Sequence, residues 1–387
     1  MRVVGLISGT SHDAIEAAAV DFAVDGEVLE AEVVATRSTR YDAGLRARLV
    51  AALPPAPTTL EEVCALDTLI GQAFADAAEA LVNELPRAPD LVCSHGQTVY
   101  HWVDGPRALG TLQLGQPAWI AERLGIPVVS DLRSRDIAAG GQGAPLASIL
   151  DVLLLGDSDR PCAALNLGGI ANITVIRPGE PPVAYDTGPA NALLDAAIAE
   201  TANGAETFDA DGARSARGHA DEALLEELLA DPYYELPAPK TTGKELFHAG
   251  YLRARTAGRN LAPDDLLATL AALTVETVAR ELERHTVERV VASGGGTRNR
   301  AIMDGLRARL PGVELSTFDE LGVPAEAKEA IVFALIGFLT ANGLAGAVPS
   351  CTGADRAAVL GSITPGLAPL ALPEPANVPL RRLVIRT

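Results

Sequence analysis

The chain has 387 residues, 48% of them hydrophobic, and 31 basic against 50 acidic side chains give a formal net charge of -19. That length exceeds what one hydrophobic core usually organises, so two lobes are expected, in a composition ordinary for a soluble globular protein. The acidic balance argues against nucleic acid or an anionic membrane as a general partner, while local Arg, Lys and helix N-termini leave small anionic substrates open.

In chain order, Arg2 to Ile7 reads as a buried strand, and Ser8-Gly9-Thr10-Ser11 forms a small-residue turn. Ile15 to Phe22 resumes as a second strand and Glu27 to Thr36 as a third by alternation. Backbone and hydroxyl groups of such a turn can face phosphates, and a plain Ser/Thr hairpin is the other reading. Ala43 to Leu53 reads as a helix stopped by Pro54-Pro55, and Thr59 to Leu85 has helical spacing. Asp90 to Ser94 is a parallel-type strand expected to deliver His95-Gly96-Gln97-Thr98 at its C-terminal end, where open α/β sheets line a ligand crevice.

Thr111 to Gln116 is a short strand, Pro117 to Leu124 a helix and Pro127 to Asp131 the next strand. Arg133, Arg135 and Asp136 follow, before the loop Gly140 to Pro145. Two arginines there suit a carboxylate or phosphate, or else a salt-bridged surface loop. Asp209 to Gly218 has an EF-hand-like start without the glutamate of the twelfth position, which excludes a calcium loop of that type. Lys240 and Lys244, in a Pro- and Thr-rich loop, either reach a ligand or stay solvated. Leu266 to His285 is a long amphipathic helix, and the strand Arg289 to Ala292 runs into Ser293-Gly294-Gly295-Gly296-Thr297-Arg298-Asn299 and a helix from Arg300 to Leu310. That glycine run lets a ring or phosphate approach the backbone but lacks the dinucleotide spacing. Val323 to Gly346 is the last long helix; within it Glu329 is either a partly buried functional acid or an exposed residue, and Lys328 beside it favours solvent. The proline-rich tail from Thr364 reads as a surface wrap.

The central stretch is Ala163 to Ala199. An apolar run enters the Gly168-Gly169 turn, a second run spans Ile173 to Ile176, and a third ends on Asp186 before Thr187, Gly188 and Pro189 open a helix. An acid at a strand end beside helix N–H groups can hold a phosphate and a proton acceptor together. Cys64, Cys93, Cys162 and Cys351 lie far apart without C-x-x-C spacing, which predicts reduced thiols and a cytoplasmic setting. The N-terminus is too short and too polar afterwards for a signal peptide, and no apolar run reaches transmembrane length.

The strand, glycine turn and strand of residues 3 to 22 recur at 163 to 185. This resembles the actin, sugar kinase and Hsp70 layout, an α/β fold of two ribonuclease H-like lobes with a nucleotide and substrate cleft between them. Motif order makes the resemblance specific. Ser8-Gly9-Thr10-Ser11 with Asp13, Ser94 to Thr98, Thr111-Leu112-Gln113, Asp131 through Arg133 to Leu146, Asn166 to Ile173, Asp186-Thr187-Gly188-Pro189 with Asn191, Pro239-Lys240 with Thr242-Gly243, and Ser293 to Gly296 are similar to the anhydro-N-acetylmuramic acid kinases over nearly the whole chain.

The resemblance implies an ATP- and Mg2+-dependent kinase of cell-wall recycling. It would take 1,6-anhydro-N-acetylmuramic acid and water to N-acetylmuramic acid 6-phosphate, with Asp186 as the base that activates water. Gly9, Thr10, Ser11, His12 and Asp13, then Gly168, Gly169 and Gly188, would hold phosphates, and Gly294, Gly295, Gly296 and Asn299 would face adenosine. His95, Gln97, Thr98, Gln113, Arg133 and Glu329 would face the sugar, with Arg133 on its lactyl carboxylate. Lobes of 1–155 and 156–345, a C-terminal segment 346–387 and a homodimer are the implied organisation; no nucleic acid or membrane partner is implied.

Departures from the family pattern stand at His12, Ala14, Glu16, Gln116 and Lys244, and Ala147-Ser148-Ile149 replaces a Val-Pro-containing segment. Ala14 forfeits glycine's freedom beside the phosphate turn, so either the turn does not need positive φ there or nucleotide affinity changes. A kinase of another sugar or amino sugar, and a nucleotide-dependent sensor without turnover, are the alternatives.

Overall fold

The computed structural model describes residues 1–105, 107–201, 206–243, 246–376 and 379–386. The chain forms two compact units, Met1–Leu154 joined by Gly322–Thr387, and Leu155–Leu321.

In the first unit β1 (Arg2–Ser8), β2 (Ala14–Asp25) and β3 (Val28–Arg40) run as an antiparallel meander. Helices α1 (Ala43–Ala51) and α2 (Leu60–Val82) then carry the chain to β4 (Leu91–Asp104), which lies parallel to β1. Strand β5 (Arg107–Leu114) folds back on β4, and α3 (Ala118–Leu124), β6 (Val128–Ser130), α4 (Ser134–Ala138) and α5 (Ser148–Leu155) follow. The second unit repeats the plan with β7 (Cys162–Leu167), β8 (Ile170–Ile176) and β9 (Val183–Pro189). Helices α6 (Asn191–Thr201), α7 (Glu222–Leu229), α8 (Ala249–Thr256) and α9 (Pro263–Arg284) lead to β10 (Arg289–Ser293), α10 (Arg300–Arg309) and β11 (Glu314–Thr317). The chain returns to the first unit as α11 (Lys328–Ala341), α12 (Pro349–Thr352), β12 (Ser362–Thr364) and β13 (Arg382–Arg386).

The two sheets share one strand order. The first reads β3-β2-β1-β4-β6 with β13 and β12 added at its ends, and the second reads β9-β8-β7-β10-β11. In each, a meander of three strands is followed by two strands parallel to the first. This is the ribonuclease H-like lobe, present twice.

Burial explains the layers of the first unit. Every residue of β1 is buried, so both faces of its sheet are covered. On one face α2, whose first turn is capped by Thr59 accepting the Glu62 N–H at 3.1 Å, packs Leu66, Ile70, Phe74 and Leu81 against the sheet. On the other lies α11, buried without interruption from Ala330 to Ala341, as a helix apolar on all sides must be. Close approach is possible because β1 carries Gly5: a Cβ there would sit 2.0 Å from the Ala330 carbonyl oxygen.

Several expectations change. Residues 322–345, expected with the second lobe, pack on the first, and α11 begins at Lys328 rather than Val323. Strand β4 does not stop at Ser94; it continues to Asp104 because β5 pairs with it, so His95 to Thr98 lie inside a strand. The tail is more than a wrap: β12 pairs antiparallel with β6 and β13 parallel with β3, which closes the two ends of the sheet. All four cysteines are free, and among the described residues no helix is long and apolar enough to cross a membrane.

Gly5→Ala is expected to destabilise the protein by about 3 kcal/mol, because backbone rather than a flexible side chain must give way. Urea denaturation checks it, with a lowered midpoint at unchanged slope.

Candidate functional site

In the first unit, Gly9 to Asp13 form a tight turn between β1 and β2. The His12 N–H donates to the Gly9 carbonyl at 3.2 Å, and the one positive φ of the turn falls on His12, at 56°. Ala14 already belongs to β2 and is not among the positive-φ residues, so the turn does not need glycine there. Arg46 of α1 clamps the outside, with Nε donating to the His12 carbonyl at 3.0 Å and Nη2 2.7 Å from Asp13. Thr10, Ser11 and Asp13 are exposed.

Gln97 holds this turn from behind. It is fully buried, its Nε2 donates to the Gly9 and Thr98 carbonyls, each at 3.2 Å, and its Oε1 accepts from Tyr41 at 3.4 Å. Its side chain is committed to the backbone of the turn.

His95, Arg133 and the 140–145 loop form one connected unit. Arg133 Nε donates to His95 Nε2 at 2.8 Å, and Nη1 donates to the Gly143 carbonyl at 2.5 Å. With Nε2 accepting, the His95 proton sits on Nδ1 and points to the Gly96 carbonyl at 3.0 Å. Burial, reinforced by the Arg133 charge, holds His95 well below the usual imidazole range, so the ring is neutral, packed 4.6 Å from Phe333. Desolvation also lowers Arg133, opposed by the charges of Glu329 and Asp136. Asp136 is buried and organises the loop, accepting the Gly143 N–H and the Thr352 hydroxyl, each at 2.8 Å. His95 and Gln113 line a hollow of about 600 Å³ with Gly96, Asp67, Asp131 and Ser134. In it Gln113 Nε2 donates to Thr98 Oγ1 at 3.1 Å and Thr111 Oγ1 at 2.7 Å.

Glu329, in the first turn of α11, is exposed, which answers the choice left open by the sequence. A Cβ on Gly9 would lie 3.9 Å from its Oε2. Desolvation raises its carboxyl, against the pull of Arg133 and then Lys328. Glu16 is raised too, by burial first and by the Glu329 charge last. Lys328 does not mark a solvent face, as its position had suggested: it is buried in an ion pair with Asp151 at 2.7 Å.

In the second unit, Gly168 and Gly169 make the two-residue turn between β7 and β8. Their carbonyls accept the N–H groups that open α6: Ala190 and Ala192 donate to Gly169, and Asn191 to Gly168, each at 3.0 Å. Those N–H groups are therefore committed within the protein, which removes them as the expected anion site. Asp186 is not at the strand end either, since β9 runs on to Pro189. It stands in a polar row across the sheet, where Ser293, Asn166, Asn172 and Asp186 are successive cross-strand partners. Asn166 and Asn172, half-buried, carry the family motif in sequence without an expected role, although an Asn inside each of two apolar strands is the signal that they line a polar row.

Asp186 is fixed by the segment following Lys240. Its N–H donates to the Lys240 carbonyl at 3.0 Å, its Oδ2 accepts the Thr242 N–H at 2.9 Å, and its carbonyl accepts the Tyr233 hydroxyl at 2.7 Å. Lys240 itself is buried and paired with Glu281, not solvated; Lys244 lies outside the described residues. Gly188 is buried, where a Cβ would lie 3.0 Å from the Tyr234 ring.

The triple glycine meets the end of β7. Gly294 has a φ of 85°, and a Cβ on it would lie 2.8 Å from the Leu167 backbone; one on Gly296 would lie 2.7 Å from Leu167 Cβ. Gly295 alone is exposed and open. Asn299 is buried as the N-cap of α10, its Oδ1 accepting the Ile302 N–H at 3.2 Å.

Two ribonuclease H-like lobes, each with a short turn between its first two strands, define the actin, sugar kinase and Hsp70 class. The pattern of the anhydro-N-acetylmuramic acid kinase family matches residues 1–366. Among curated relatives, the anhydro-N-acetylmuramic acid kinase of Streptomyces coelicolor is 58% identical over 99% of this chain and 98% of its own. That of Rhodococcus erythropolis is 52% identical over 98% and 97%, and that of Gloeobacter violaceus 43% over 94% and 98%. The chain belongs to the anhydro-N-acetylmuramic acid kinase family.

The turn geometry carries a prediction. Ala14→Gly is expected to leave the nucleotide KM unchanged while lowering strand stability by about 0.5–1 kcal/mol. His12→Gly is expected to raise stability by about 1 kcal/mol by relieving the left-handed backbone; steady-state kinetics and thermal melts of both variants check this.

Proposed function

We propose that the protein is an ATP-dependent kinase that converts 1,6-anhydro-N-acetylmuramic acid and water to N-acetylmuramic acid 6-phosphate, a step of cell-wall recycling in the cytoplasm. Family membership over nearly the whole chain supports the reaction. The observation that carries the mechanism is Asp186, a carboxylate held at its backbone and at Oδ2 on a polar row of the second sheet.

Asp186 takes a proton from water as the water oxygen bonds to the anomeric carbon. The bond from that carbon to the bridge oxygen breaks, and the freed O6 attacks the γ-phosphorus, with ADP leaving. The general base and the positioning of reactants are the protein's main contributions, since phosphoryl transfer otherwise needs charge neutralisation. In the first unit, Thr10, Ser11 and Asp13 meet phosphates, while His95, Gln113, Thr98 and Glu329 meet the sugar. Arg133 binds the lactyl carboxylate through the guanidinium edge not engaged by His95 and Gly143. In the second unit the Gly168-Gly169 turn and exposed Gly295 meet the nucleotide. Gln97, Gly188 and Asn299 act beneath these surfaces, consistent with their burial.

Among the described residues no group of three or more His, Cys, Asp and Glu side chains could hold a metal. Magnesium carried by nucleotide phosphates keeps its waters and takes only one or two protein carboxylates. Asp13, whose Oδ1 is paired with Arg46, would hold it through its other carboxylate oxygen, and the ion would neutralise phosphate charge. A homodimer is the family expectation; exposed Tyr100, Trp102, Val103, Leu109 and Leu112 on β4 and β5 supply an apolar face suited to it.

Turnover of 1,6-anhydro-N-acetylmuramic acid with ATP and magnesium in heavy-oxygen water is expected to place the label at C1 of a 6-phosphate. An unlabelled product, or phosphorylation only of other sugars, would overturn the reading. Asp186→Asn is expected to lower kcat by about 10³-fold with nucleotide affinity retained; wild-type turnover would remove Asp186 as the base.

Arg133→Ala is expected to weaken sugar binding by about tenfold or more, from loss of a charge-assisted contact. Calorimetry with the sugar, beside nucleotide binding as a control, checks it.

A further inference from the structure

Beside Asp186 in the chain and in the segment bonded to it begins a buried polar cluster centred on Glu281. On α9, Glu281 Oε1 accepts from Lys240 Nζ at 3.0 Å, and its Oε2 accepts the Tyr185 hydroxyl at 3.0 Å. Lys240 Nζ also donates to the Tyr234 carbonyl at 3.1 Å and lies 5.1 Å from the Tyr233 ring centroid. The Lys240 and Glu281 side chains are only 2% and 5% exposed, so both charges are withdrawn from water. His285 Nε2 lies 2.7 Å from the Tyr185 oxygen; with the hydroxyl proton directed to Glu281, the imidazole is the donor. Arg284 Nη1 meets Glu281 Oε2 from the outer side at 3.1 Å.

Both inner partners of Glu281 flank Asp186. Tyr185 precedes it in β9, and neighbouring strand residues face opposite sides of a sheet, so Tyr185 reaches back to α9 while Asp186 faces the polar row. Lys240 opens the segment paired to Asp186: its carbonyl takes the Asp186 N–H, and two residues on, the Thr242 N–H holds Asp186 Oδ2. One carboxylate thus grips both the strand that carries the acid and the segment that orients it. Buried ion pairs are often replaceable by apolar side chains without loss of stability. Stability alone therefore does not explain this pair.

We propose that Glu281 is a positioning residue for Asp186, setting, through Tyr185 and Lys240, the spacing between β9 and segment 240–242 and hence the orientation of the carboxylate. The proposal rests on Asp186 being the base.

The test compares the full-length wild type with a Lys240→Met/Glu281→Leu double variant, Tyr185→Phe and Asp186→Asn. The double variant is expected to melt close to the wild type and keep its KM values for sugar and ATP. Its kcat is expected to fall by about 10²-fold, the scale of a small misplacement of a reacting group. Hydrogen exchange of the Thr242 amide is expected to quicken, a readout independent of turnover. Tyr185→Phe is expected to move both readouts in the same direction by less. Unchanged kcat and Thr242 protection in a folded double variant would overturn the proposal, as would a loss of activity that only tracks an unfolded fraction. Should the double variant not fold, Glu281→Gln carries the same two readouts. An inactive Asp186→Asn beside a fully active double variant overturns the positioning role alone; an active Asp186→Asn overturns the base itself.

Discussion

The Thr242 N–H held by the Asp186 carboxylate, at 2.9 Å, is the contact that fixes the orientation of this acid, and the proposed chemistry of the second unit depends on it. A backbone donor cannot rotate away as a side chain can, so the orientation of the acid is as firm as the segment that carries the donor. That segment is firm because its lysine is buried and paired. The donor comes from a neighbouring segment instead of a helix N-terminus, whose own N–H groups are satisfied by the glycine turn.

The duplicated topology separates two kinds of glycine. At Gly294, glycine lets backbone lie against backbone, since a Cβ there would sit 2.8 Å from the Leu167 carbonyl group, whereas one on Gly168 would meet only ordinary contacts. At Gly5 the same property serves packing alone, bringing α11 against β1. Because α11 starts next to that contact, Glu329 is held beside the Gly9 turn by the core of the first unit. The Glu329 carboxylate beside the Gly9 turn and the deepest packing of the unit thus share one helix.

Fold class was legible because β-branched runs, glycine turns and helical spacing repeat in the same order in both halves. The site was legible as motifs, and less so as roles. Gln97 and Asn299 are polar residues in glycine-rich motifs, yet both are buried, and their side chains organise backbone. Burial of a polar side chain depends on what folds over it, which local spacing does not encode. The same holds for Lys240 and Lys328, whose partners Glu281 and Asp151 lie far along the chain. Helix α11 and strand β13 return to the first unit by long-range pairing, so a linear division at residue 345 could not anticipate them.

The departures from the family pattern illustrate how a motif can change while its geometry persists. A turn needs its left-handed residue at one position, and here that position is His12, at the corner closed by the Gly9 carbonyl. Ala14 has already entered the ladder with Arg40 as its partner, where a methyl group suits a strand better than a hydrogen does. The strain moved to His12 is countered by Arg46, which ties the carbonyls of Ser11 and His12 and the carboxylate of Asp13 to α1. Arg46 and the Gly9 carbonyl together hold the turn around His12, so its shape is set by its neighbours and not by glycine's backbone freedom at position 14.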